Sequence, residues 1–220
     1  MNKVELIIFD MDGTLFDTSE GICDSYIQVA RTFNKKIPEK KDLQKLIGGP
    51  LRTNLKDLFD FEDQECQHAI DVYRGHYAKI GLEKSKIYPG VVDTIRELHD
   101  EGYSLGVATL KRQDFAVKFI ENSGLLYFFS SINGMDARDE LTKEELIKNC
   151  MDVCGADGVR TIVVGDSSSD YNGALCNNTR FLAATWGFGF DEETCCNKSI
   201  SYVRKFEDIP TYLNSHKNRH

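Results

Sequence analysis

No stretch of this 220-residue chain approaches the roughly 20 consecutive apolar residues that a bilayer span requires. Nor does it open with a basic segment followed by an apolar one, so neither a leader nor a membrane partner is expected. A basic stripe is also missing. The 27 lysines and arginines stand against 35 aspartates and glutamates, and the formal charge of −8 argues against nucleic acid as a partner. Seven cysteines occur without a pair of CxxC knuckles, which speaks against a structural zinc site. The adjacent Cys195 and Cys196 would close only a strained disulfide, so reduced thiols in a cytoplasmic setting are the expectation. There is no internal repeat and no low-complexity tract. What remains is an ordinary globular composition, 41% hydrophobic and 28% charged, long enough for one sizeable domain or one domain with a modest insertion.

Five segments have the length, β-branched content and flanking breakers of buried strands: 4–9 (VELIIF), 104–108 (SLGVA), 127–132 (YFFSSI), 159–164 (VRTIVV) and 180–184 (RFLAA). Amphipathic helical patterns lie near 91–101, 112–122, 142–153, 168–177 and 206–215. Near-continuous apolar strands alternating with helices predict an α/β fold, a Rossmann-like three-layer parallel-sheet core. The alternation lapses from residue 16 to about residue 85, where helical periodicity appears without a credible strand ("GICDSYIQVARTF", "KDLQKLI", "LRTNLKDLF", "QECQHAIDVYRGHYAKI"). We therefore expect an all-helical insertion over 16–85, with the core formed by 1–15 and 86–220 and re-entered at the Pro89-Gly90 turn.

Chemistry gathers at the strand ends. "VELIIFDMDGTLFDT" stops an apolar strand on Asp10 and places Asp12 two residues later; "VVGDSSSDYNGA" ends another on Gly165 and Asp166, with Asp170 entering a helix. A parallel sheet brings its carboxyl ends to one rim. Four carboxylates converging there repel one another, and a hard divalent cation taking oxygen ligands, Mg²⁺, is the simplest offset. A cation among carboxylates points to a phosphate. Thr109, at the end of the second strand, offers a hydroxyl. Lys143, at the start of the helix before the fourth, faces the same rim.

The order "DMDGTLFDT", "VATLK", a later helical lysine and "VVGDSSSD" resembles the haloacid dehalogenase superfamily of phosphatases over essentially the whole chain. The insertion resembles the mobile cap of its phosphoglycolate-phosphatase-like branch. That resemblance implies Asp10 as nucleophile, forming an aspartyl-phosphate, and Asp12 as acid and then base. It implies Mg²⁺ held by the Asp10 side chain, the Asp12 carbonyl and the Asp166 side chain, with Asp170 either orienting a metal-bound water or standing behind the ligands. Thr109 and Lys143 would clamp the phosphoryl oxygens, and Gly13 would permit the tight turn. Two positions depart from the family pattern. Leu110 replaces a small or amide residue, and Glu144 replaces the proline after the lysine, which keeps Lys148 as an alternative to Lys143.

The substrates implied are small phosphorylated metabolites: the branch resemblance favours phosphoglycolate, with a nucleoside monophosphate or a sugar phosphate as alternatives. A sugar phosphomutase, which returns the phosphoryl group to a hydroxyl, is the alternative enzyme. Dehalogenase chemistry has no use for Asp12, and a phosphonate hydrolase needs a Schiff-base lysine. A binding module that merely retains the fold is the non-catalytic alternative. The state of assembly is read as monomer or homodimer.

Several other residues receive plainer readings. Lys111 and Arg112 are read as solvated first-turn residues, and Asp17 as a cap for the first insertion helix. His68 and His76 are read as solvated, and Trp186 as packing beside the last strand. In "IGGPLRTNL" a helix stop and a proline-led helix are expected, with Arg52 a candidate contact for a polar or anionic substrate tail. The closing "HKNRH" reads as a frayed tail.

Overall fold

The computed structural model describes residues 3–136 and 139–217. The chain runs β1 (Leu6–Phe9), β2 (Phe16–Asp17), α1 (Ser19–Thr32), α2 (Lys40–Gln44), α3 (Leu51–Phe59), α4 (Asp63–Ile80), β3 (Lys86–Ile87), α5 (Val91–Asp100), β4 (Ser104–Arg112) and α6 (Gln113–Asn122). It continues through β5 (Ser131–Met135), α7 (Lys143–Cys154), β6 (Thr161–Gly165), α8 (Ser168–Cys176), β7 (Arg180–Ala184), α9 (Glu192–Lys198), β8 (Tyr202–Val203) and α10 (Ile209–Lys217).

Six strands form one parallel sheet in the order β5-β4-β1-β6-β7-β8. Strand β1 lies inside it, with Leu6 opposite Ser104 on one side and Thr161 on the other. All four β1 residues are buried because both sheet faces are covered. Alternation sorts them. Leu6 and Ile8 pack with Leu146, Ile147 and Cys150 of α7, whereas Ile7 and Phe9 pack with α5, α6 and the C-terminal segment. Phe9 stacks on Phe206 with centroids 5.5 Å apart. This is the expected three-layer α/β core.

Helices α1–α4 follow β2 and precede β3, and these two short strands pair antiparallel, Phe16 opposite Ile87 and Asp17 opposite Lys86. The two passages of chain between sheet and helices thus hold each other through backbone hydrogen bonds. The helices bury their own apolar residues, among them Val29, Leu55 and Ile70, and Tyr26 meets Tyr73 edge-on at 5.0 Å.

Some expectations shift. A strand at 16–17 was not legible, because two residues carry no periodicity and the pairing partner lies 70 residues away. The third core strand is Ser131–Met135 rather than 127–132. Leu126–Phe128 forms a 3₁₀ turn instead, and pairing with β4 starts at Gly106 opposite Ser131. Residues 206–208 are likewise a 3₁₀ turn ahead of α10. Of "HKNRH", His216 and Lys217 belong to α10, the His216 ring lying on Tyr212 at 4.2 Å, and 218–220 fall outside the described residues.

Candidate active site

The carboxyl ends of β1, β4 and β6 converge where the strand order reverses. Asp10 and Asp12 follow β1, Thr109 lies in the last part of β4, and Asp166 follows β6; all four are buried. Asp170 reaches the same point from the first turn of α8. Ser167 caps that helix, and the Asp170 Oδ2 atom accepts from the Ser167 N–H at 3.0 Å and its hydroxyl at 2.7 Å. One oxygen each from Asp10, Asp166 and Asp170 lies within 4.8 Å of the others.

Lys143 meets this cluster from the first turn of α7, whose start is fixed by a capping box between Thr142 and Glu145. Its ammonium donates to Asp10 Oδ1 at 2.5 Å and to the Ala108 carbonyl at 2.7 Å, and pairs with Asp170 Oδ1 at 2.7 Å. Lys148 instead lies on the exposed side of the helix, bonded to Asp152. Of the two lysines weighed from the sequence, Lys143 is therefore the one at the carboxylates.

Burial dominates the electrostatics. It pushes Asp10 up to about 7 against the pull of Lys143, with Asp170 and Asp12 pushing further. Burial also raises Asp166 well above the usual carboxylate range, helped by Asp10 and Asp170. The Lys143 ammonium is lowered by burial but raised more by Asp10 and Asp170, so it stays charged. Close packing leaves no room at the turn: Gly13 has φ +90°, and a Cβ there would fall 2.3 Å from Asp166 Oδ2. Asp166 Oδ2 itself accepts from the Phe188 N–H at 2.6 Å.

Asp12 is apart from the cluster. Its carboxylate pairs with Lys111 at 2.9 Å, and the Lys111 ammonium donates to the Tyr77 hydroxyl of α4 at 3.0 Å. Lys111 is therefore buried, not a solvated first-turn residue, because β4 runs on to Arg112 and its alternation turns Thr109 and Lys111 to the same side. This is the buried residue at the rim that sequence reasoning missed. The available signal was a period of two continued past residue 108. Arg112 does lie at the start of α6, where its guanidinium takes Asp114 at 2.5 Å and lies over Phe115.

A cavity of about 480 Å³ separates the rim from the helices. Asp12, Thr109, Lys111 and Lys143 line it from below, and Tyr26, Tyr73, Arg74, the 48–50 turn and the first turn of α3 from above. Arg52 borders the cavity while hydrogen-bonded to Gln67. Arg74 crosses to the other side and bonds Asp139 at 2.5 Å.

The remaining readings divide. Asp17 Oδ1 accepts from the Ser19 N–H at 3.0 Å, at the start of α1. Trp186 packs beside β7 against Phe206 and donates from Nε1 to the Thr14 carbonyl at 3.1 Å. His68 is exposed. His76 is not, since its Nδ1 meets Ser25 Oγ at 3.2 Å across α1 and α4. All seven cysteines are free thiols.

Known proteins resemble this chain over most of its length. The sequence model of the haloacid dehalogenase-like hydrolases covers residues 7–184. A 5'-nucleotidase of Pseudomonas aeruginosa is 28% identical over 211 residues, 96% of each chain. Pyrophosphatase PpaX of Halalkalibacterium halodurans is 29% identical, over 96% of this chain and 92% of its own. The crystal structure of a predicted phosphatase from Clostridium acetobutylicum aligns with a TM-score of 0.90 at 30% identity, covering 97% of this chain and 100% of that one. A match spanning most of the chain, over strand ends that gather these acids around one lysine, makes this protein a member of the haloacid dehalogenase-like hydrolase family, among its phosphatases.

Proposed function

We propose that the protein hydrolyses small phosphomonoesters with Mg²⁺, through an aspartyl-phosphate on Asp10. The observation that carries this is the convergence of Asp10, Asp166 and Asp170 to within 4.8 Å around Lys143.

The donor set fits a hard cation. Every candidate ligand is a buried oxygen, and burial together with the neighbouring acids raises Asp10 and Asp166, a cost that a divalent ion removes. Asp10 and Asp166 would hold it through their side chains and Asp12 through its backbone carbonyl. Asp170 has both oxygens engaged, by Ser167 and by Lys143, and so stands behind the ligands as an orienting group. When bound, Mg²⁺ supplies positive charge to the phosphoryl oxygens.

The protein's own groups do the rest. An Asp10 carboxylate oxygen attacks phosphorus, and the P–O bond to the leaving alcohol breaks as Asp12 gives that oxygen a proton. Asp12 then takes a proton from water, which attacks the phosphorus and frees phosphate and the Asp10 carboxylate. Lys143 and Thr109 hold the phosphoryl oxygens. Residues 16–85 act as a cap, with the β2–β3 ribbon as its attachment, that closes water out and sorts leaving groups. The cavity's size and its tyrosines suit a leaving group of sugar or nucleoside dimensions better than a two-carbon acid. The similarity to a 5'-nucleotidase agrees with that preference.

A panel of phosphorylated metabolites with Mg²⁺, read as free phosphate, tests the function. Turnover should stop in EDTA and in Asp10→Asn while the fold, followed by circular dichroism, persists. Phosphate release by that variant at the native rate would overturn the mechanism. Isomerisation of a sugar phosphate without phosphate release would replace it with a mutase.

A further inference from the structure

We propose that Lys111 is a positioning residue for Asp12, and that Tyr77 makes this positioning depend on α4 being docked over the rim. The inference deepens the reading of Asp12 as acid and base and rests on it. Three elements meet at one ammonium. Lys111 comes from β4, its Nζ pairs with Asp12 Oδ1 at 2.9 Å on the loop after β1, and it donates to the Tyr77 hydroxyl at 3.0 Å on α4. It also lies over the Tyr77 ring, 4.6 Å from the centroid, and 5.1 Å from that of Phe119 on α6.

A buried lysine this enclosed has a definite position, which its flexible four-carbon stem would not provide in solvent. Its ammonium is fixed between the Asp12 carboxylate on the loop after β1, as an ion pair, and the Tyr77 hydroxyl of α4, as a hydrogen bond. Removing α4 takes away the hydroxyl and one aromatic face and lets water reach the ammonium, so Asp12 loses a fixed partner. With α4 in place, Asp12 is held at the cavity wall beside Thr109 and Lys143. Proton delivery is thereby confined to the arrangement in which the substrate is covered. Lys111 itself transfers no proton and touches no reacting atom.

The test separates leaving groups in the first chemical step, read as alcohol or phenolate released in a single turnover, because the water attack that follows uses Asp12 for either substrate. p-Nitrophenyl phosphate releases a phenolate that needs no proton; β-glycerophosphate, or the best alkyl phosphate of the metabolite panel, releases an alkoxide that does. We expect Lys111→Met to lower the single-turnover rate of alcohol release from the alkyl phosphate by about 30- to 100-fold, part of the effect of a general acid. For p-nitrophenyl phosphate it should fall less than about 5-fold, a loss of positioning rather than of protonation. Tyr77→Phe removes one hydroxyl and should cost about 3- to 10-fold on the alkyl phosphate alone. Added to Lys111→Met, it should cost nothing more. Lys111→Arg keeps the charge and should recover part of the alkyl rate, which keeps the test valid if Lys111→Met fails to fold.

Equal losses on both substrates in the Lys111 variants would reduce Lys111 to a packing role, and an unaffected Tyr77→Phe would remove α4 from the proposal. Asp12→Asn is the control for the underlying reading. If it shows no leaving-group dependence, the role of Asp12 falls first, whatever Lys111 does.

Discussion

Consider Lys143→Met in protein stripped of divalent ions. The methionine matches the stem of the lysine but removes the charge, so Asp10 loses its donor at 2.5 Å, Asp170 its ion pair at 2.7 Å and the Ala108 carbonyl its donor at 2.7 Å. All of these atoms are out of water. Breaking a buried pair by deleting one partner costs about 3–5 kcal/mol, because the remaining charge is uncompensated. Here burial already holds Asp10 at about 7, so near neutral pH it can take up a proton, and the lower end of that range applies. At about 2–4 °C per kcal/mol for a chain of this length, the melting temperature should fall by roughly 6–12 °C.

Lys148→Met is the matched control. Lys148 and Asp152 are an exposed pair one helical turn apart, with side-chain exposures of 57% and 61%. Such pairs contribute about 0.5 kcal/mol or less, so the control should shift by no more than about 2 °C. Differential scanning calorimetry in EDTA reads both. Added Mg²⁺ should narrow the Lys143 deficit, since a bound cation neutralises the same carboxylates. A Lys143→Met melting temperature within about 2 °C of wild type in EDTA would refute the reasoning that this lysine compensates the acidic cluster.

Three further outcomes follow from the geometry. Gly13→Ala places a methyl 2.3 Å from Asp166 Oδ2 in a left-handed backbone, so a titration of activity with Mg²⁺ should show about tenfold or more weaker apparent metal affinity. Asn54→Ala leaves the Leu46 carbonyl and the buried Tyr26 hydroxyl without the amide that now donates at 2.8 and 3.0 Å, and should cost about 1–3 kcal/mol in urea unfolding. Asp139→Asn weakens the Arg74 bridge from α4 to the loop after β5; KM should rise by about 2- to 10-fold with kcat little changed, and an unmoved KM would remove the bridge from substrate retention.

What could be read from the sequence was local or periodic. Asp10, Asp12, Asp166 and Asp170 were assigned to one rim because apolar strands in a parallel arrangement must end at the same edge. The structure brings the carboxylates of Asp10, Asp166 and Asp170 together there, while the Asp12 side chain turns toward Lys111. Lys111 was misread because one residue decides whether a segment counts as strand end or helix start. Burial at that position depends on α4, which lies more than 30 residues earlier. His76 was misread for a related reason: charged neighbours on its own helix said nothing of Ser25 on the facing one.

The sequence by itself determined the alternation of strands and helices, the helical stretch after β1 and the acids that close two of the strands. Each follows from side-chain period and backbone preference within a few residues. Only the tertiary structure decided the pairing of Phe16–Asp17 with Lys86–Ile87, the choice of Lys143 over Lys148, and the burial of Lys111 between Asp12 and Tyr77. The physical reason is that desolvation and ion pairing depend on which surfaces meet, and residues distant along the chain supply those surfaces.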